Sequence, residues 1–366
     1  MPRPLPVLLL LPPAGTRRAE DWMGEVRLAA ALDLVERLQT LDSVAEVYAL
    51  AARPTDAACL RGAGVEPWQA TQTSFHFGTV LAEFASGPGH DGLAYFGGAS
   101  APLASVETLR NAFAATEDER LTAVVNNLYS TDWFIINDGT ALSRLAPSMA
   151  TDNPMGWRLQ QETGCIIRSL SVSAETRADI DTPADAFLTS AHPHQGPHLA
   201  AALANGPLEL RQKVAEVRQV LQEPARTLAV IGRSSSHVWR LLEGRGQTSV
   251  RLFVEERGML ANGRVERGDV RSLVGAMIDD VGPEVFVSRL SALADAVLWD
   301  TRVWMAHAGA WPPDGDRFAA DLGWPEEVED SEVRRLAAAV AASPIPIVCG
   351  GHGVVAGAVL ALLEGL

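Results

Sequence analysis

The 366-residue chain is short of cysteine, with only Cys59, Cys165 and Cys349. They are odd in number and far apart, which excludes a disulfide framework and fits a reducing compartment. It is also short of positive charge. Thirty Lys and Arg stand against 45 Asp and Glu, a formal net charge of −15. That balance excludes broad contact with nucleic acid or an anionic membrane, and leaves room only for a local basic pocket. No apolar run is long enough to span a bilayer. "PVLLLL" near the start is bracketed by prolines, and "VVAGAVLALLEGL" at the end is too short and carries Glu364. Internal repeats and long low-complexity segments are lacking as well. A soluble, cytoplasmic protein is expected.

What is present reads as globular: 47% hydrophobic and 20% charged residues. The length suits two domains. The first half alternates strand-like and helix-like runs. "PVLLLL", "VAEVYALAA", "GLAYFGG", "LTAVVNN", "DWFIIN" and "CIIRSLSV" predict strands, with "EVRLAAALDLVERLQTL", "SFHFGTVLAEFAS" and "SVETLRNAFAA" predicting helices between them. Such alternation points to an α/β domain with a largely parallel sheet. Residues 189–207, rich in His, Pro and Gly, predict a boundary, giving one domain over 1–200 and another over 201–366. The second half alternates again and is richer in helix, with one long helical region expected over "VRSLVGAMIDDVGPEVFVSRLSALA". Nine tryptophans are scattered and form no readable stacking platform.

In the first half, "PPAGTRRAEDW" follows the first strand; a glycine turn and basic residues before a helix can wrap phosphate. Gly97 and Gly98 after the third strand allow close backbone approach. "NNLYSTDWFIIND" places paired amides and Asp132 after another strand, and Asp152 and Asn153 stand where capping explains them. In "ADIDTPADAF", Thr182, Pro183 and Asp185 spell a helix start, while Asp179 and Asp181 flank Ile180 and face one way on an extended segment.

In order, "AGTRR", "GGASAPLAS" and "DIDTPAD" resemble the Gly-rich loop, the strand-loop segment and the second acidic motif of the glycosyltransferase-A-like NTP transferases. That family includes molybdenum-cofactor cytidylyl- and guanylyltransferases and phospholactate guanylyltransferases. The resemblance covers roughly residues 5–190. It implies a three-layer α/β/α nucleotidyltransferase-like domain that joins a nucleotide to a phosphorylated small molecule, with Mg²⁺ and release of pyrophosphate. By match it implies nucleotide contacts from Gly15, Thr16, Arg17, Arg27, Gly98 and Ser100, and metal contacts from Asp179 and Asp181. Ser100 stands where the family has a metal aspartate, and Pro12 and Pro13 remove backbone donors from the loop. Two alternatives therefore stand beside transfer: a ligand-binding scaffold on the inherited fold, and an active site in the second domain.

The second half has no such resemblance, but polar residues gather after its predicted strands. Arg233, Ser235 and His237 follow "TLAVIG"; Arg257 follows "SVRLFV"; Asp300, Arg302 and His307 follow "AVLW"; Gly351 and His352 follow "IPIVCG". Arg233, Ser235, His237, Arg257, Arg302 and Gly351 suit an anion, with Asp300, His307 and His352 as candidate catalytic groups. "DGDRF", with Asp314, Asp316 and Arg317, reads as a solvated loop. His192, His194 and His198 have a chelating spacing, but their prolines favour a linker.

Overall fold

The computed structural model describes residues 3–366 except Ala14, Gln72, Thr73 and Ala261. The chain divides into two compact units. The first comprises Met1–Ala14, Val26–Asp179 and Gly196–Leu199; the second comprises Gly15–Glu25, Ile180–Gln195 and Ala200–Leu366. The expected boundary at residue 200 marks the last crossing. Two earlier segments also go with the second unit, and the first division cuts the helix Arg18–Leu38.

The first unit holds β1 (Leu5–Leu11), β2 (Val44–Ala51), β3 (Glu66–Pro67), β4 (Leu93–Gly97), β5 (Thr122–Val125), β6 (Trp133–Ile136) and β7 (Ile166–Ser169). They form a seven-stranded sheet in the order β3-β2-β1-β4-β6-β5-β7. Only β6 runs against its neighbours, β4 and β5. The apolar run of β1 reflects burial on both faces. Val7, Leu9 and Leu11 pack with Leu34, Leu38, Leu60 and Phe113 on one side, and Leu8 and Leu10 pack with Leu81, Phe84 and Leu159 on the other. Helices on both faces make this a three-layer α/β/α unit, as expected.

The second unit holds β8 (Thr227–Gly232), β9 (Ser249–Val254), β10 (Ala296–Asp300) and β11 (Ile347–Gly350), all parallel, in the order β11-β10-β8-β9. The chain steps outward from β8 to β9, then restarts at β10 and steps the other way to β11. The carboxyl ends of β8 and β10 therefore flank the point where the winding reverses, the usual ligand crevice of an open α/β sheet.

Three local readings change. The expected long helix is two, Leu273–Val281 and Pro283–Leu293, parted by Gly282 at φ 80. Pro283 lacks an N–H and suits a first helical position, so the break is a glycine–proline effect. "DGDRF" opens the helix Asp314–Leu322, and Asp316 is only 2% exposed. The His- and Pro-rich boundary contains the helix Pro197–Ala204. By contrast, Thr182 and Asp185 form a reciprocal capping box at the helix Pro183–Thr189. Among the described residues, no helix is long and apolar enough to cross a membrane.

Candidate functional site

In the first unit, polar groups gather where β1, β4 and β5 end and β6 begins. Ser100 and Asp179 form an isolated antiparallel bridge, so the "SAPL" and "DIDTP" segments meet. The Ser100 hydroxyl donates to Gly97 O at 2.8 Å and is buried. A bulky group at Gly98 would strike Leu11, because Gly98 N donates to Leu10 O at 2.8 Å. Tyr95, buried on β4, donates its hydroxyl to Asp152 Oδ2 at 2.9 Å. Burial, followed by Asp152, Asp132 and Asp179, pushes the Tyr95 hydroxyl well above the usual tyrosine range. Asp132 is oriented by Asn126, whose Nδ2 donates to its Oδ2 at 2.8 Å while its Oδ1 accepts from Asp132 N at 3.0 Å. The sequence flagged these polar runs, but nothing local joined Asp132, Asp152 and Asp179 through Tyr95. Arg177 lies close enough for Asp132 to act on it; burial nonetheless lowers its pKa.

Asp181 falls in the second unit and acts there on Asp185 and His352. The expected pair Asp179 and Asp181 is thus divided between the units. The Gly15–Thr16–Arg17 turn also belongs to the second unit, and its polar groups have partners. Glu20 Oε2 accepts from Arg17 N at 3.1 Å, and a Cβ on Gly15 would collide with the Glu20 carboxylate. Arg17 Nη1 donates to Asp316 Oδ1 at 2.6 Å, and Nη2 donates to Glu327 O. The bond to Asp316 raises the Arg17 pKa. Burial works against the Asp316 carboxylate, but N–H groups of Glu329 and Asp330, with Arg17, hold its pKa low. Glu20 and Asp316 therefore occupy positions that the resemblance assigns to phosphate contacts. Arg27 is half-buried, on the first-unit part of its helix.

In the second unit the carboxyl ends of β8 and β10 are locked by ion pairs. Arg233 Nε and Nη2 donate to Asp300 Oδ2 and Oδ1 at 2.6 and 3.1 Å. Gly232, at φ 120, has no room for a side chain against Asp300. Arg302 grips Asp321 at 2.9 and 2.5 Å, and both are buried. Burial opposes charge on Arg302, but Asp321 outweighs it and raises its pKa. Ser235 caps the helix Ser236–Arg245 by accepting from Val238 N at 3.3 Å. His237 Nδ1 lies 3.1 Å from Arg240 Nη2. His307 Nδ1 accepts from Ser272 N at 3.1 Å, so its Nε2 carries the proton facing Asp279 Oδ2 at 3.0 Å. Both ring nitrogens of His307 thus help hold the helix Leu273–Val281, whose cap Ser272 donates to Glu255 at 2.6 Å.

His352 keeps a solvent-exposed edge beyond β11. The protein packed around the ring, then Arg233, lowers its pKa against the opposite pull of Asp300; Arg257 and Asp181 also face it. Gly351 is buried against Thr182, and the half-buried Gly353 packs against Asp185. Asp185 Oδ2 accepts from Thr182 N and Oγ1, each at 2.8 Å, while its buried Oδ1 has no hydrogen-bond partner. Burial, then Asp181, pushes the Asp185 carboxyl up to about 8. Arg233 and Asp300 therefore pair within electrostatic reach of His352, Arg257 and Asp181, whereas His307 lies with another helix.

Among the described residues, Asp33, Glu36 and His198 bring metal-capable donor atoms within 4.8 Å of one another. Their bonds serve structure. Asp33 accepts from His198 N and Leu199 N at 3.0 and 2.8 Å, capping the helix Pro197–Ala204, and His198 Nε2 meets Glu36 Oε1 at 2.9 Å. His192 packs instead near Glu364 at 3.4 Å.

No family model and no curated protein matches the sequence. Over about half of its length, the chain is similar in structure to cytidylyltransferases. A cytidylyltransferase from Leptospira borgpetersenii serovar Hardjo-bovis shares 13% identity over 55% of this chain and 94% of its own, with a TM-score of 0.41. CMP:2-keto-3-deoxy-manno-octonic acid synthetase, solved with CTP, shares 12% identity over 49% and 94%, at 0.36. Rv0371c from Mycobacterium tuberculosis H37Rv shares 20% over 50% and 96%, at 0.33. Scores and identities this low carry nothing about substrate or chemistry.

Proposed function

We propose that the first unit binds a nucleoside triphosphate and transfers its nucleotidyl group to a phosphorylated small molecule. An acceptor oxygen bonds to the α-phosphorus as the bond to pyrophosphate breaks. One observation supports this reading most: the Ser100–Asp179 bridge brings the "SAPL" and "DIDTP" segments together, and the buried Tyr95 of the neighbouring strand donates to Asp152. Carboxylates are hard oxygen donors of the kind that suits Mg²⁺. Asp179, the acidic position of the resemblance that stays in this unit, would contribute a ligand to the ion in place of a set completed at Ser100. When bound, the ion would offset charge on the phosphates. The Gly15–Arg17 turn has no part in this reading, since Glu20 and Asp316 already hold it.

CTP, GTP, ATP and UTP are tested side by side, because no described residue of the site distinguishes the base. Full-length protein is expected to bind at least one of them with Mg²⁺ and to release pyrophosphate with a phosphorylated acceptor. Asp179→Asn is expected to weaken Mg²⁺-nucleotide binding at least tenfold, about 1.4 kcal/mol or more. No binding of any nucleoside triphosphate at millimolar concentration would overturn the proposal.

A second reading places the chemistry in the second unit, favoured by His352 facing Arg233, Arg257, Asp300 and Asp181 where the winding reverses. Turnover lost in His352→Asn but kept in Asp179→Asn would favour this reading over the first.

A further inference from the structure

Two of the scattered tryptophans meet in a cleft of the second unit. The cleft has a volume of about 640 Å³ and is walled by Arg18, Trp22, Asn205, Glu209, Trp324 and Glu326. That size suits one small organic ligand. Its floor is aromatic and half-buried; Asn205, Glu209 and Glu326 at the rim are exposed.

Both indoles are fixed. Trp22 stacks on Phe187 with centroids 5.8 Å apart and planes 9° from parallel. Gly206 backs this stack, since a Cβ there would come within 2.8 Å of Phe187 and 3.0 Å of Trp22. Trp324 carries the Arg18 guanidinium 4.0 Å over its ring, and Glu327 Oε1 accepts from Arg18 Nη1 at 2.9 Å. The Arg18 side chain is still 65% exposed, so one flat cationic face stays open. The buried Trp22 indole N–H has no acceptor among the described residues.

Charge narrows the ligand. Among the described residues that line the cleft, Glu209 and Glu326 outnumber the one cation, Arg18, which is itself paired with Glu327. An acidic rim disfavours a phosphate or carboxylate and favours groups that donate N–H bonds. We infer that this cleft binds a planar nitrogen heterocycle with ring or amino N–H donors, of which guanine is a model. The ring stacks on Arg18 and the indoles, and its N–H edge donates to a rim glutamate.

The test uses the full chain without Mg²⁺ and reads tryptophan fluorescence and calorimetric heat as guanosine is added. Saturable guanosine binding is expected. Inosine, which lacks the amino donor, should bind several-fold more weakly. Trp324→Leu and Glu326→Gln, each checked for an unchanged melting profile, should weaken guanosine at least tenfold and about threefold, and Asp179→Asn should leave it unchanged. No saturable binding at millimolar guanosine overturns the inference. Equal affinity in Trp324→Leu, or loss of binding in Asp179→Asn, overturns this location while leaving nucleotide transfer in the first unit to its own test.

Discussion

The two sheet edges use charge in opposite ways. At the first unit's edge, a buried tyrosine donates to Asp152 in the field of Asp132 and Asp179, and Asn126 orients Asp132. At the second unit's edge, Arg233 and Arg302 are spent on Asp300 and Asp321 inside the fold. An arginine after a strand therefore signals ligand binding only when no carboxylate of the same fold claims it. The same holds at the Gly15 turn, where Glu20 and Asp316 take the roles expected for phosphate.

The largest expected effect breaks the second edge. Arg302→Ala leaves Asp321 buried and unpaired and should cost about 3–5 kcal/mol, seen as a lower urea midpoint. Replacing both residues by apolar ones of similar size should recover much of that loss; failure to recover would mean that the pair positions more than itself.

An intermediate effect follows from Asp185, whose carboxyl rises from 3.8 to about 8 in the folded chain. The folded state holds a proton that the unfolded state releases. This contribution to stability is complete below pH 3.8 and is lost as pH rises through about 8. Asp185→Asn keeps the neutral shape, so its urea midpoint should fall less than that of the parent between about pH 5 and about pH 9. Parallel pH profiles for the two proteins would refute the assignment.

The smallest effect sharpens the comparison at the turn. Glu20→Gln weakens the acceptor for Arg17 N and should cost about 1 kcal/mol or less. Pyrophosphate binding should stay unchanged, because Asp316 still holds Arg17; tighter binding in the variant would show that the turn is an anion site after all.

Short-range signals in the sequence were dependable. The "VLLLL" run became a fully buried strand, and the Thr182–Pro183–Asp185 helix start became a capping box. What escaped depended on distant partners. Arg17 meets Asp316 across 299 positions, and Asp33 caps a helix 165 positions away. No local pattern encodes such pairings. Asp132 and Asp152 were visible as polar residues, but the bond from Tyr95 to Asp152 spans 57 positions. Gly282–Pro283 could have been read as a break, and hydrophobic periodicity on both sides hid it.

The chain crosses between its two units at Ala14–Gly15, Glu25–Val26, Asp179–Ile180, Gln195–Gly196 and Leu199–Ala200. A gene fragment beginning near codon 200 would encode the second sheet but omit Trp22, Arg17, Thr182 and Asp185. It would lack a wall of the aromatic cleft, the arginine that holds Asp316, and the capped helix against which Gly350 packs. The second half is thus not a cassette to be shuffled onto another protein by a single join, and recombination that preserves it must carry three pieces of coding sequence together.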